Sequence, residues 1–347
     1  MKAILIPICL SAGLVCKGQL QKNGEHLLTF HTEGKFFHFN FKNGTRFDFY
    51  STMFQHLNSQ DSQENLVIEE EIKEQFSVNS QDSEIIWEKA RNLHIDKAGD
   101  STAGKNVHIV DTAFYMPQLN RYRRIWIYLP PSYSKTRKKF PVLYMQDGQN
   151  VFDNATSFSG EWGVDEALDT LSPSFGEMIV VAIDNGGVHR MSEYSPFDNE
   201  HAKAEGDAYL EFIVEILQPY INKNFRTKKC WKHNFIAGSS MGALISYYAL
   251  LKYPKKFGGA GIFSPSFWVN PQLINVDPQQ AKKIKGKVYF FAGMQESEQM
   301  VPDVLSVFEQ VKKYSKAEIT TVIRAEGKHS ETTWREEFPE FYKWLKL

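Results

Sequence analysis

The sequence predicts an α/β protein: a doubly wound, mostly parallel sheet with helices on both faces, preceded by a small N-terminal extension that carries a β-hairpin. Three observations predict it. Short apolar runs alternate with amphipathic ones over roughly the last two thirds of the chain, as strands and crossover helices require. Gly238-Ser239-Ser240-Met241-Gly242 stands between an apolar run and a run rich in Ala, Leu and Tyr, the setting of a sharp strand-to-helix turn. Finally, 347 residues that are 42% hydrophobic and 23% charged suffice for one large core plus a smaller piece.

Taken in order, Met1-Lys2 gives a short positive start, residues 3–15 an apolar stretch, and Cys16-Lys17-Gly18 a small residue before Gln19. This reads as a signal peptide over residues 1–18, and so as an exported, periplasmic or secreted protein. The apolar stretch is too short for a comfortable membrane span, so no stable membrane insertion is expected. Leu14-Val15 lacks the small residues usual before a lipidated cysteine. Removal of Cys9 and Cys16 with the signal leaves Cys230 alone, and the mature chain has no internal disulfide.

Residues 19–105 read as an extension or accessory module. Phe37, Phe39 and Phe41 alternate before Asn43-Gly44, and Phe47 and Phe49 alternate after it, a hairpin signal. Residues 59–64 are polar loop, 69–76 and 84–93 short amphipathic helices, and 96–105 a linker. From 106 to 347 the expected strands are 125–129, 142–145, 178–183, 234–237, 259–263, 288–292 and 319–323. Helix 207–225 carries an apolar stripe of Leu210, Ile213, Val214, Leu217, Tyr220 and Ile221 that is expected to belong to the core.

Forty basic against forty-one acidic residues give a net charge of -1. No global basic field, nucleic-acid motif, internal repeat or metal-ligand cluster stands out. No nucleic-acid partner, metal or cofactor is expected, and nothing fixes the oligomeric state.

Ser240 is the candidate nucleophile, since the turn exposes its hydroxyl at the sheet edge. A serine needs a base, and in this arrangement the chain order is serine, acid, histidine. Of ten histidines only His329 follows Ser240, in a loop after the strand-like run 319–323. The acid falls between them, among Asp277, Glu296, Glu298, Asp303, Glu309, Glu318 and Glu326. Glu296 is chosen because its loop opens after the buried run 287–293, with Glu298 and Asp303 as alternatives. Oxyanion donors are expected from the backbone N–H groups of Met241, directly after the serine, and Gln149, in the turn after strand 142–145. Trp162 and Trp268, with Tyr194 and Phe267, follow strand ends on the expected triad side and are candidate substrate-binding aromatics. Arg190 fits either an anionic ligand or a loop ion pair, and is left outside the candidate site.

These residues resemble the esterase D-like family of the α/β-hydrolases, which includes feruloyl and acetyl-xylan esterases and siderophore esterases. The similarity is carried by Arg123-Arg124-Ile125-Trp126-Ile127-Tyr128-Leu129-Pro130-Pro131-Ser132-Tyr133, Asp147-Gly148-Gln149-Asn150-Val151-Phe152-Asp153, the serine turn, Ser264-Pro265-Ser266-Phe267-Trp268 and Lys328-His329-Ser330-Glu331. Gly293-Met294-Gln295-Glu296-Ser297 reproduces the family's acid setting with glutamate. The resemblance implies an α/β-hydrolase fold and a Ser-His-Glu carboxylesterase acting on acyl esters of carbohydrate or on siderophore-type esters. A binding protein for carbohydrate or siderophore on the same scaffold, without turnover, is the reading from another class.

Overall fold

A computed structural model describes residues 101–347 in full and, before them, only strands β1 (Val15–Leu20), β2 (Glu25–Thr32), β3 (Lys35–Lys42) and β4 (Asp96–Lys97). The chain divides into two units, Met1–Asp100 and Ser101–Leu347. In the first, β1 to β4 form an antiparallel sheet in sequence order. The strand holding Phe37, Phe39 and Phe41 is present, but its hairpin partner is the preceding β2, with Thr32 opposite Lys35. The expected hairpin arm at Phe47 and Phe49, the polar loop 59–64, both short helices and residues 1–14 of the expected signal lie outside the described residues.

The second unit is built on eight strands: β5 (Val107–Met116), β6 (Arg121–Tyr128), β7 (Val142–Met145), β8 (Ile179–Ile183), β9 (Asn234–Ser239), β10 (Gly259–Phe263), β11 (Lys287–Gly293) and β12 (Glu318–Arg324). Their order is 12-11-10-9-7-8-6-5. The strands from β7 to β12 are mutually parallel, whereas β6 runs antiparallel to β8 and β5 to β6. β7 to β10 are buried at every residue, which is why they read as unbroken apolar runs. β5 is not among the strands expected from the sequence. It is an edge strand with irregular register against β6 and mostly exposed or half-buried residues, so no apolar alternation marks it.

Helices α1 (Val164–Phe175), α2 (Gly206–Glu211), α3 (Gln218–Asn224), α4 (Met241–Lys252), α5 (Met300–Tyr314) and α6 (Glu331–Leu345) complete the layers. A π-helical turn, Phe212–Leu217, joins α2 to α3, so the expected helix 207–225 is one rod with a wide turn at its middle, and Tyr220 of its expected stripe stands exposed beside Phe114 rather than in the core. One core cluster holds Leu210, Ile213, Leu244, Ile262 and Phe290, and a second holds Trp162, Phe263, Phe291, Trp334 and Phe338. Together they cover both faces of the sheet.

Residues 101–106 are not a free linker. Asp153 accepts from Ser101 Oγ at 2.6 Å and from the Thr102 N–H at 3.1 Å; Glu161 accepts from Thr102 Oγ1 at 2.6 Å; Asp165 accepts from the Gly104 N–H at 2.7 Å. Small residues with free hydroxyls and amides suit such a strap as well as a loop, which is why composition misleads here. Burial lifts the Asp165 carboxyl to about 7, against the opposing pull of the Gly104 N–H, and its Oδ1 has no hydrogen-bond partner. A carboxyl raised in the folded state binds its proton more tightly there than in the unfolded chain. Its stability contribution therefore declines as pH rises from the ordinary carboxyl range through about 7. Asp165→Asn keeps an acceptor for Gly104 without the buried charge. It should raise the melting temperature by about 2–4 °C at pH 8.5 and by clearly less at pH 5, where the folded carboxyl still keeps its proton. Thermal unfolding at the two pH values checks this, and an equal rise at both excludes titration of Asp165 as the cause.

Candidate active site

The parallel strands deliver their carboxyl ends to one edge, and each candidate catalytic residue stands just beyond such an end. Ser240 follows β9 at φ 55°, ψ −121°, a conformation L-residues rarely take, and α4 starts at the next residue. Its N–H donates to the Phe263 carbonyl at 3.0 Å, which ties the turn to β10. A Cβ on Gly238 would lie 2.8 Å from the carbonyl carbon of Gly242, so only glycines allow the chain to fold back this tightly. The Met241 N–H lies at the N-terminus of α4, where the helix presents positive potential.

Glu296 and His329 meet. Nδ1 of His329 lies 2.6 Å from Oε2 of Glu296; the Glu296 side chain is 1% exposed and that of His329 40%. The contact is possible because the two loops touch backbone to backbone: a Cβ on Gly293 would stand 2.2 Å from the Gly327 carbonyl oxygen. The Gln295 N–H donates to that same oxygen at 2.9 Å. The other carboxylate oxygen, Oε1, accepts from the Gly293 N–H at 2.6 Å and from Ser264 Oγ at 2.7 Å. Asp303 sits in the first turn of α5, with its carboxyl raised by burial, and Glu298 is exposed. Neither is the carboxylate that the structure brings to His329.

Ser240 Oγ shares a hydrogen bond of 2.9 Å with Ser266 Oγ, and the Ser266 N–H donates to the Ser240 carbonyl at 3.2 Å. Sequence reasoning gives neither Ser264 nor Ser266 a role. The only signal is their place in Ser264-Pro265-Ser266, a small polar run directly after an apolar strand.

Gln149 lies in the 3-10 turn Gly148–Asn150, buried, with Asp147 in the left-handed region before it at φ 53°, ψ 50°. Asp147 is held there by side chains. Arg190 reaches it in a bidentate ion pair, Nε to Oδ1 at 2.6 Å and a terminal nitrogen to Oδ2 at 2.9 Å, and Asn185 Nδ2 donates to Oδ1 at 2.8 Å. Burial opposes the Arg190 charge, but Asp147 outweighs it and holds the guanidinium pKa above its usual range. Arg190 also stacks over Tyr194, 5.2 Å from the ring centre. Of its two sequence readings, the loop ion pair is the one present.

The aromatic candidates separate. Trp162, Tyr194 and Phe267 are buried, and Trp162 packs on Phe263, Trp334 and Phe338. The Trp162 ring is thus taken up by the core and offers no face to a ligand, a correction that follows from the apolar layer beneath its loop. Trp268 is 59% exposed, with His201 edge-on. Other exposed large apolar side chains also follow parallel-strand ends: Phe158 after β7, Val188 and Phe197 after β8, Met294 after β11. Among the described residues there is no cluster of His, Cys, Asp or Glu able to hold a metal, and no helix long and apolar enough to cross a membrane.

A family model described as "Putative esterase" matches residues 117–345. The chain is 29% identical over 181 residues to the uncharacterized protein YbbA of Bacillus subtilis, covering 50% of this chain and 69% of that one. It is 23% identical over 232 residues to an endo-1,4-beta-xylanase/feruloyl esterase of Xylanibacter ruminicola, covering 66% of this chain and 30% of the larger protein. Among solved structures, the BES protein of Bacillus cereus superposes with a TM-score of 0.59 at 17% identity, over 72% of this chain and 98% of that one.

Exchange of the candidate acids tests the geometry. Glu296→Gln should lower ester turnover by about 10³–10⁴-fold, as loss of the histidine's carboxylate partner typically does, and Asp303→Asn should leave it within about twofold. Initial rates with p-nitrophenyl acetate decide it; a larger loss in Asp303→Asn moves the acid to α5.

Proposed function

The chain belongs to the putative esterase family and is a carboxylic ester hydrolase; from that premise we propose that it works through a Ser240-His329-Glu296 triad. The observation that carries the reading is the 2.6 Å Glu296–His329 pair at the same sheet edge as the strained turn of Ser240. Attack begins with the Ser240 hydroxyl turning from Ser266 towards Nε2 of His329, which takes its proton as Oγ bonds to the ester carbonyl carbon. Glu296, hydrogen-bonded at Nδ1, fixes the imidazole tautomer and supports the imidazolium. The Met241 and Gln149 amides receive the oxyanion, and collapse expels the alcohol with the proton from His329. Water then repeats the sequence on the acyl-enzyme and releases the acid.

For the substrate we propose aromatic acyl esters of carbohydrate, the feruloyl type. Support comes from the exposed apolar side chains on the carboxyl-edge loops, Trp268 foremost, and from the Xylanibacter relative's name. The protein is further proposed to be exported, with cleavage after Gly18. Such cleavage would divide β1, which spans Val15–Leu20, so the mature sheet would lose the start of that strand.

Three measurements check these readings. Ser240→Ala should abolish both the p-nitrophenyl acetate burst and steady turnover, a loss of about 10⁴-fold or more, while the melting temperature stays near wild type. Retained turnover in that variant refutes the nucleophile. In a panel of methyl ferulate, acetylated xylan and a catecholate siderophore, methyl ferulate should give the highest kcat/KM. Trp268→Ala should cut that value by about 10-fold to 100-fold, the worth of one buried aromatic contact; a preference for the siderophore reassigns the acyl group. Intact mass of protein from the exported fraction should correspond to a chain starting at Gln19, and a start at Met1 rejects the signal.

A further inference from the structure

Ser264 follows β10 as Ser240 follows β9. It is fully buried, its φ is 47°, and its N–H donates to the Phe291 carbonyl at 2.8 Å. Its hydroxyl has two partners, Glu296 Oε1 at 2.7 Å and Trp334 Nε1 at 2.9 Å. An indole N–H only donates, so Ser264 Oγ accepts from Trp334 and donates its single proton to Glu296. The direction of the chain is thereby fixed from Trp334 through Ser264 to the carboxylate. With the Gly293 N–H as a second donor, Oε1 is fully engaged, and Oε2 is the oxygen that faces His329. The Trp334 ring also stands edge-on to the His329 imidazole, centroids 5.0 Å apart at 85°. One residue of α6 therefore touches the histidine directly and the acid through a serine.

We propose that Ser264 and Trp334 are positioning residues for the reaction: they lock the rotation of the Glu296 carboxylate so that one fixed oxygen holds Nδ1–H of His329. The proposal rests on the Ser240-His329-Glu296 reading above. A carboxylate free to turn presents its oxygens to the imidazole in many orientations, and each error in the ring's angle is passed to Nε2, where the serine proton is taken. Neither Ser264 nor Trp334 needs to touch substrate for this, so their removal acts on kcat rather than KM.

The experiment compares full-length wild type, Ser264→Ala, Trp334→Phe, Glu296→Gln and Ser240→Ala. Kinetics with p-nitrophenyl acetate are combined with thermal melting and the low-field proton resonance of the His329–Glu296 hydrogen bond. Ser264→Ala should lose roughly tenfold or more in kcat with KM within about twofold of wild type, and its low-field resonance should broaden away. Trp334→Phe keeps a ring against His329 and removes only the N–H. It should show a smaller loss in the same parameter, and it serves as the test if Ser264→Ala does not fold. A folded Ser264→Ala, or failing that a folded Trp334→Phe, with wild-type kcat and an unchanged low-field proton overturns the proposal while an inactive Glu296→Gln leaves the acid in place. Activity in both Glu296→Gln and Ser240→Ala removes instead the triad reading beneath it.

Discussion

Three adjacent strands of the sheet, β10, β9 and β7, end in a backbone reversal that L-residues resist. Ser264, Ser240 and Asp147 all take positive φ, at 47°, 55° and 53°. Each such residue costs about 1–3 kcal/mol and persists only where its surroundings over-determine it. Here the surroundings are identifiable. Ser240 donates its backbone N–H to Phe263 of β10 and Ser264 donates its own to Phe291 of β11, while Asp147 is pinned by Arg190 and Asn185. The reversals stand past the ends of neighbouring strands, so residues far apart in sequence come to a short stretch of edge. The geometry of the candidate site depends on those three turns being held.

What holds them differs by layer. The apolar layers keep the strands in place and absorb Trp162, Tyr194 and Phe267, while the polar contacts at the edge are almost all matched pairs. Ser266 bonds Ser240, Ser264 bonds Glu296, and Pro265 joins the two serines, so one tripeptide reaches both candidate residues. Asp147 belongs to a wider polar patch in which its N–H donates to the Tyr194 hydroxyl, and Tyr209 donates to Gln146. Rigidity at the edge thus comes from satisfied hydrogen bonds, and its foundation from packing.

Much of this arrangement is legible in the sequence. The parallel strands declare themselves as apolar runs, most plainly the fully buried β7 to β10: β7 and β10 have the expected bounds, and β8, β9, β11 and the half-buried β12 differ by one or two residues at their ends. Ser240, Glu296 and His329 are reachable because one turn fixes the serine, chain order fixes the histidine, and a strand end favours one carboxylate. Edge strand β5 is not, since its exposed and bulged register leaves no period to read. Ser264, Ser266 and Trp334 are equally hidden, because a serine that bonds a carboxylate looks in sequence like any loop serine. Trp162 misleads in the opposite sense: an aromatic after a strand end reads as a pocket wall, and only burial reveals it as core.

The strand order has a further consequence in time. β7 pairs with β9, Val142 opposite Asn234, so the centre of the sheet joins segments about ninety residues apart in the chain, and the intervening β8 pairs on the other side of β7. Such closures are slow relative to local helix formation, because the entropy of the loop is lost before the contact rewards it. Gln149 and Met241, the two expected oxyanion donors, lie just past the ends of those same two strands. The edge that carries the candidate site is therefore expected to form later than the helices, because it is complete only once that long-range pairing is made.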